Sequence, residues 1–520
     1  MNKQSPEEIW KQYEDGVSYN QRMELYEQVK KNENFYIGKQ WEGLNAPDLN
    51  KPVINVLKRV VSYFISMIVS DDVGVSFSPF LPSKEEERNA QILSKAIDEV
   101  VELADIRSKS REIIRDAAVT GEGYLHFYFN PEKGINGQIC AEIIPNINII
   151  FGNPYSDDLQ AQPHILIVMR KTVEKIKREL ERNNQKAEET ITEDSDPNQY
   201  DISGAGQDGL VTVIRKMWKE NGKVYAVETT KDRIIRPEWV VGYENYPLAC
   251  MRWEKIKNSY HGQSAISALI PNQISINQLF AMSIHSVKST AFPKIVFDRT
   301  KISSWSNKVG QAIGVTGNPN DAIFSGFKGP DMSGQVVDLI ERLTQKTLEF
   351  MGASDAALGN IRPNNTSAII ATQKASAMPL ELQKLEFHRF TEEYIRVLID
   401  MISVDYGIRS VAVEEEGNTV VQDFDFSTLQ NTNWKMDIEI GTSAYWSEVM
   451  QVQTLDNLFT KGIIPDAITY LESIPDSYIR GKAKIMEKLK GKMQEQMTIP
   501  QTPEMSLGNN PLESLIQKGV

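Results

Sequence analysis

The chain has 520 residues, 41% hydrophobic and 24% charged, with 57 Lys and Arg against 70 Asp and Glu for a net charge of −13. At about 150 residues per domain this is three or four domains' worth of ordinary globular chain, which excludes one small module and a disordered or fibrous protein. So acidic a chain repels nucleic acid over most of its surface, which also excludes a general DNA-coating role.

Cys140 and Cys250 allow at most one disulfide and are read as buried, reduced thiols. The N-terminal MNKQSPEEIWKQYEDG lacks the apolar core of a secretory signal. The densest apolar run, Val60 to Val69, is about half the length of a membrane span and is read as a buried helix. A soluble, intracellular protein with no membrane partner is expected.

The first 120 residues are read as mainly helical. Ile9, Tyr13, Met23, Tyr26 and Val29 mark one face of a helix broken near Gly16, and Ile92, Ala96, Val100 and Leu103 mark a second. GLNAPDLNKP, from Gly43 to Pro52, is turn chemistry. Past Gly121 and Gly123 the period changes. YLHFYFN, ICAEIIP, INIIF and HILIVMRK are short β-branched and aromatic runs parted by Pro, Asn and Gly, which predicts strands. A short helix, Val173 to Asn183, follows. Glu188 to Asp201 holds six acids (Glu188, Glu189, Glu193, Asp194, Asp196, Asp201), no base and few apolar anchors, and predicts a mobile loop. Strands resume at Leu210 to Lys219, and Asn221-Gly222 is a two-residue hairpin turn into Lys223 to Thr229.

From Gln263 to Thr290 there is no acid and one formal base, Lys288. Pro271 suits the first turn of a helix. Ile274, Leu279, Phe280, Ile284 and Val287 then form a broad apolar stripe, while Asn272, Gln273, Asn277, Gln278, Ser283 and Ser286 supply neutral polar groups. A free-standing surface helix usually carries charges, so this one, about 30 Å long, is expected to pack on several sides or to line a neutral surface. Ala291 to Met332 is rich in Gly, Pro, Asn and Ser, with a predicted strand at Lys294 to Phe297. Its bases Lys294, Arg299, Lys301, Lys308 and Lys328 face only Asp298, Asp321 and Asp331; with Lys288, residues 263–332 carry +3 while the remainder carries −16. A second helix, Ser333 to Met351, has Val336, Ile340, Leu343 and Met351 on one face and Gly352 as its C-cap. Two helices enclosing a small folded insert make a stalk with a tip. A loop from Ala353 to Asn365 leads into a helical pattern from Thr366 to about Tyr406, kinked at Pro379. Short strands at Ser410 to Val413 and Trp434 to Ile440 precede a helical C-terminus and a flexible tail.

The motifs do not point to catalysis. Gly204-Ala205-Gly206-Gln207-Asp208-Gly209 has the letters of a dinucleotide fingerprint, but an acidic loop precedes it and a strand follows, where pyrophosphate binding needs a strand before and a helix after. A nucleotide-binding oxidoreductase built on it is the alternative reading. There is no GxxxxGK[ST] and no GxSxG. His126, His164, His261, His285 and His388 show no metal spacing, and Asp423-Phe424-Asp425 reads as a solvated edge, so no metal, cofactor or enzymatic activity is expected. The overlapping sequons at Asn364 and Asn365 lack the signal peptide that glycosylation requires. Near the C-terminus Arg480, Lys482, Lys484, Lys488, Lys490 and Lys492 surround the single acid Glu487: either a phosphate-holding face or a solvated helix face.

The order of parts resembles the portal, or head-to-tail connector, proteins of tailed bacteriophages. Three stretches carry the likeness: FYIGKQW at Phe35, SYHGQSAISALIPNQISINQ at Ser259, and SDAALGNIRPNNTSAIIATQ running into the long helix. The resemblance implies an α+β portal-like protomer with an α+β wing, a two-helix stem, a small α/β clip, a long kinked helix and a helical crown. Residues 1–262 would be the N-terminal wing, 263–290 and 333–354 the stem helices, and 291–332 the clip. Residues 355–365 would be the tunnel loop, 366–440 the long kinked wing helix and wing strands, and 441–520 the crown and flexible tail. It further implies a homo-oligomeric ring, usually of twelve subunits, at one vertex of the capsid, assembled in the host cytoplasm and carried in the virion. Its partners would be double-stranded DNA passing through without sequence readout, the terminase large subunit, head-completion adaptor or tail proteins, and the major capsid and scaffold proteins. Tunnel-loop residues Asn360, Arg362, Asn364 and Asn365 would touch phosphates weakly, with Arg362 equally able to form an intersubunit salt bridge. The clip bases Lys294, Arg299, Lys301, Lys308 and Lys328 would face DNA or acidic partners. A non-portal virion structural protein without a channel is the remaining alternative.

Overall fold

The computed structural model describes residues 4–47, 49–69, 73–79, 84–183, 191–195, 209–291, 294–304, 306, 312–327, 334–352, 378–415, 418–431, 434–440, 452, 454–464, 467–474, 485, 486, 488 and 489. The chain divides into two compact units, Met1–Ile440 and Gly441–Val520.

The first unit opens with helices α1 (Pro6–Arg22) and α2 (Leu25–Ile37). The expected break near Gly16 is not there: α1 runs through Gly16, and the turn falls at Glu24, which takes a left-handed φ of 54°. Gly16 serves packing instead, because a Cβ there would collide with Ile150 of the sheet beneath. The run Val60–Val69 lies in α3 (Val56–Ile68), whose Val60, Val61, Phe64 and Ile68 are buried. No helix among the described residues is long and apolar enough to cross a membrane. In α4 (Lys84–Leu103), Ile92, Ala96 and Val100 face the core, but Leu103 is 50% exposed, so the predicted stripe ends one turn early. α5 (Ile106–Thr120) follows.

The predicted strand runs become β2 (Glu122–Asn130), β3 (Gln138–Ile144), β4 (Ile149–Phe151) and β5 (His164–Thr172), and the short helix becomes α6 (Val173–Arg182). β6 (Leu210–Glu220) and β7 (Lys223–Thr229) meet at Asn221-Gly222, whose φ values of 53° and 76° are both positive, as a type I′ hairpin turn needs. With β8 (Ile234–Val240) they form an antiparallel five-stranded meander in the order β4-β5-β6-β7-β8. β9 (Leu248–Arg252) joins a second sheet, β3-β2-β9, which brings Cys140 and Cys250 onto the two strands flanking β2; both thiols are free and buried.

The acidic stretch is not uniformly unanchored. Ile191 packs on the α6 core, and the Asp194 carboxylate pairs with Arg170 and accepts from the Thr212 backbone at 3.0 Å. A charge partner across the chain supplied what composition could not show.

α7 (Ile270–Ala291) and α8 (Gly334–Phe350) are the stalk pair, with Gly352 at φ 75° closing α8. Between them, β10 (Lys294–Phe297) pairs with β11 (Ile323–Phe327), and the described residues there add a 3-10 turn at Pro319–Asp321 but no α-helix. The described part of the long helix starts with a 3-10 turn, Met378–Leu380, and continues as α9 (Glu381–Asp405); Pro379 thus lies in that turn, and residues 366–377 lie outside the described residues. The return strands are β12 (Ile408–Glu415), β13 (Asn418–Asp425) and β14 (Trp434–Ile440). Five strands escaped the sequence reading: β8, β9, β11, β13 and β1 (Val73–Pro79). β1 pairs with β14 from Val73↔Ile440 to Pro79↔Trp434, holding the last strand of this unit to one near its start.

One titratable group in the meander yields a pH dependence. The His164 ring packs so closely over Gly152 that a Cβ there would lie 2.7 Å away; burial, with Lys216 adding repulsion, lowers its pKa from 6.5 to about 4. The unfolded chain therefore binds the proton first as pH falls. That contribution to stability, on the order of 1–3 kcal/mol, is complete above pH 6.5 and lost between pH 6.5 and 4. His164→Gln is expected to flatten the fall in urea midpoint between pH 7 and pH 5; an unchanged slope would assign the fall to other groups.

Candidate functional site

The stalk is fastened to the body at two neighbouring places, and both fall in stretches singled out in the sequence. The first is the joint where the chain enters the stalk. α5 ends at Gly121, φ 104°, which touches Gly262 backbone to backbone: a Cβ on either would collide with the other's carbonyl oxygen. Trp253 N donates to Gly121 O at 2.9 Å, Gln263 N to Glu254 O at 2.8 Å and Ala265 N to Ala118 O at 3.0 Å. Glu122, 1% exposed at the start of β2, lies at the centre. Its carboxylate accepts from the Gly262 backbone and from Asn146 Nδ2 at 3.2 Å, and lies 2.7 Å from His261 Nδ1. The other ring nitrogen of His261 is 2.9 Å from Asn20 Oδ1 of α1, which also accepts from the Tyr260 hydroxyl at 3.1 Å. Buried polar groups are tolerated only when paired, and here the pairing joins α1, α5, β2 and the stalk entry.

The second place explains the neutral polar groups of α7. Gln273 and Asn277, one turn apart on the helix, are buried against the start of α3. Gln273 accepts from Val56 N at 3.0 Å and donates to Ile54 O at 2.7 Å and to Asn277 Oδ1 at 3.0 Å. Asn277 donates in turn to Gln40 Oε1. Gln40 also donates to Phe35 O at 2.8 Å, and Trp41 Nε1 donates to Pro52 O at 2.8 Å. FYIGKQW and PNQISINQ are therefore parts of one contact. Two side-chain amides supply both donors and acceptors without charge, which suits orphan backbone groups ahead of a helix. The sequence left α7 either packed on several sides or lining a neutral surface; the structure buries Gln273 and Asn277 against the chain's own body.

Beyond Ala281 the burial of α7 falls away, Ser283 excepted. Met282 and Val287 are 62% and 60% exposed, as are Val337, Leu339 and Phe350 of α8 at 45%, 52% and 79%. Asn272 Nδ2 and Thr347 Oγ1, 3.3 Å apart, link the two helices near the base.

The basic residues named from the sequence are only partly placed. Lys294 lies in β10, and Arg299 is exposed beyond its end. Lys301 is engaged within the tip: it donates to Asp321 O at 3.2 Å and lies 3.9 Å from Asp298. Lys308 and Lys328 lie outside the described residues, as do Asn360, Arg362, Asn364 and Asn365 and, in the second unit, Arg480, Lys482, Lys484, Lys490 and Lys492; Lys488 is exposed. Gly209, the last glycine of GAGQDG, runs into strand β6 and not into a helix. Asp423 accepts from Ser410 Oγ at 2.7 Å and Asp425 from Ser427 N at 3.0 Å, and no His, Cys, Asp and Glu group among the described residues is arranged to hold a metal.

No curated protein matches the chain at a significant level. The family model described as phage P22-like portal protein matches residues 10–220 and, overlapping them, 168–507. These matches include both stretches that build the stalk joint, and the chain belongs to the P22-like phage portal protein family.

Proposed function

We propose that the chain is the protomer of a closed ring at one capsid vertex, with residues 1–262 and 366–440 as wing, 263–290 and 333–354 as stem, 291–332 as clip, 355–365 as tunnel loop and 441–520 as crown. The exposed apolar side chains on both stalk helices carry this reading. Met282, Val287, Leu339 and Phe350 stand in water in a lone chain, and side-by-side stalks of neighbouring copies would cover them. The ring would pass double-stranded DNA during packaging and ejection, dock the terminase large subunit and then adaptor or tail proteins at the clip, and meet capsid and scaffold proteins at the wing. An acidic wall with a +3 stalk and tip suits a duplex that slides without sticking. The protein itself would hydrolyse no nucleotide.

Light scattering with negative-stain imaging of purified protein tests this directly. Rings with a central hole are expected; a stable monomer at micromolar concentration under every assembly trigger would sink the proposal, and rings without a hole would favour a structural protein lacking a channel. Arg362→Ala is expected to leave rings intact and to impair packaging or retention of DNA. Normal packaged length and infectivity in that variant would remove the loop from the mechanism.

A further inference from the structure

The loop between α2 and α3 and the helix α8 meet α7 on different sides. Asn272 of α7 lies 3.3 Å from Thr347 of α8, whereas Asn277 bonds to Ile54 and Gln40, and Lys288 Nζ donates to Asn50 Oδ1 at 3.1 Å. At about 100° per residue, Asn277 and Lys288 point about 140° and 160° away from Asn272. By the same spacing Asp338 of α8 points opposite to Thr347, and Glu341 about 120° from it. Both acids therefore stand on the flank of α8 turned away from α7. Asp338 is as far along the chain from Thr347 as Ala281 is from Asn272. It thus stands level with Ala281, between the two points where the loop is fastened to α7.

The two flanks carry opposite charge. Residues 36–59 hold Lys39, Lys51, Lys58 and Arg59 against Glu42 and Asp48, and Lys288 adds one more base. Lys51 Nζ donates to Leu44 O at 2.7 Å, so neutral acceptors hold both Lys51 and Lys288 at the surface, and neither forms an ion pair among the described residues. α8 carries Asp338, Glu341 and Glu349 against Arg342 and Lys346. Glu349 meets Lys346 at 2.7 Å, which leaves the exposed Asp338 and Glu341 against Arg342 alone. Apolar groups accompany both flanks: Leu44 and Val53 are 45% and 38% exposed, and Val337 is 45% exposed.

We propose that the loop between α2 and α3 of one copy seats on α8 of the next, with Lys51 and Lys288 facing Asp338 and Glu341, and Leu44 and Val53 covering Val337. This names a contact within the ring proposed above and rests on that reading. Unlike patches on opposite flanks make a head-to-tail contact, which closes into a ring and does not stop at a two-fold dimer. The opposite charges set the register and disfavour α8 meeting α8.

Light scattering of the full chain over a concentration series tests it. Lys51→Glu with Lys288→Glu is expected to raise the concentration of half-assembly about tenfold or more, and adding Asp338→Lys with Glu341→Lys to that variant to restore it within about threefold. In a second measurement, Val53→Cys with Val337→Cys should cross-link neighbouring copies on mild oxidation, while either cysteine alone should not, because the contact joins unlike patches. The native Cys140 and Cys250 are buried and do not compete. Wild type that forms no ring removes the ring reading and this contact with it. Wild-type rings, with unchanged assembly of the Lys51 and Lys288 variant and no cross-link, overturn the contact alone. The same result with loss of duplex DNA retention in that variant overturns it too, and gives the loop to DNA.

Discussion

Gly262→Ala is expected to disable the joint between body and stalk. Its added Cβ would overlap the Gly121 carbonyl, a backbone atom that cannot rotate away, and that carbonyl is itself held by Trp253 N at 2.9 Å. Relief requires moving the Gly262 amide from the Glu122 carboxylate, which unbalances a buried network. The combined cost is about 3 kcal/mol or more, enough to remove much of the stability of an ordinary domain. Gly134→Ala makes the comparison informative. Gly134 has a φ of 73° with open space around it, so its substitution costs only backbone strain, about 1–2 kcal/mol. Thermal midpoints and ring yield should drop far more for Gly262→Ala than for Gly134→Ala; equal drops would show that the close approach at the joint does not matter. Glu122→Gln should fall between them, because an amide keeps the shape but supplies an N–H where the Gly262 amide needs an acceptor.

Glu228→Ala is expected to have the second large effect. Burial alone would raise the Glu228 pKa, but Arg215 and Lys171 outweigh it and hold the group at about 2, against 4.5 ordinarily. Removing the carboxylate leaves Arg215 without its partner and Lys171 with Glu179 alone, and breaking a buried pair in this way costs about 3 kcal/mol. The dependence on pH has a definite sign. The folded-state pKa is depressed, so the stabilisation is complete above pH 4.5 and disappears as pH falls towards 2. Chemical denaturation should therefore show wild type and Glu228→Ala well apart at pH 7 and converging below pH 3. A constant gap across that range would mean that the loss comes from packing and not from charge.

Much of the architecture was legible in the amino-acid order. Strands β2 to β7, the Asn221-Gly222 turn, helix α6, and the stalk helices with Pro271 at the start and Gly352 at the end all follow from local rules: side-chain period, positive φ and a missing N–H. β1 and β13 were not legible, because each is defined by the strand it pairs with, and for β1 that partner, β14, lies more than 350 residues away. Glu24 and Gly16 show the same limit on a smaller scale. A glycine in a helical pattern reads as a break, yet this one makes room for Ile150, a residue that only the fold brings near.

The sequence by itself determined the kind of chain: an acidic α+β protein with two helices, the first almost free of charge, around a small insert, and the likeness to portal proteins that the family match shows. Only the tertiary structure decided what the unusual residues do. Gln273 and Asn277 satisfy the backbone ahead of α3, Asp194 answers Arg170, and Glu122 joins β2 to the Asn146 turn and to the stalk entry at His261 and Gly262. Hydrophobic period and turn chemistry act between near neighbours and are written in residue order, whereas the partner of a buried polar group is set by which distant segments the core brings within about 3 Å.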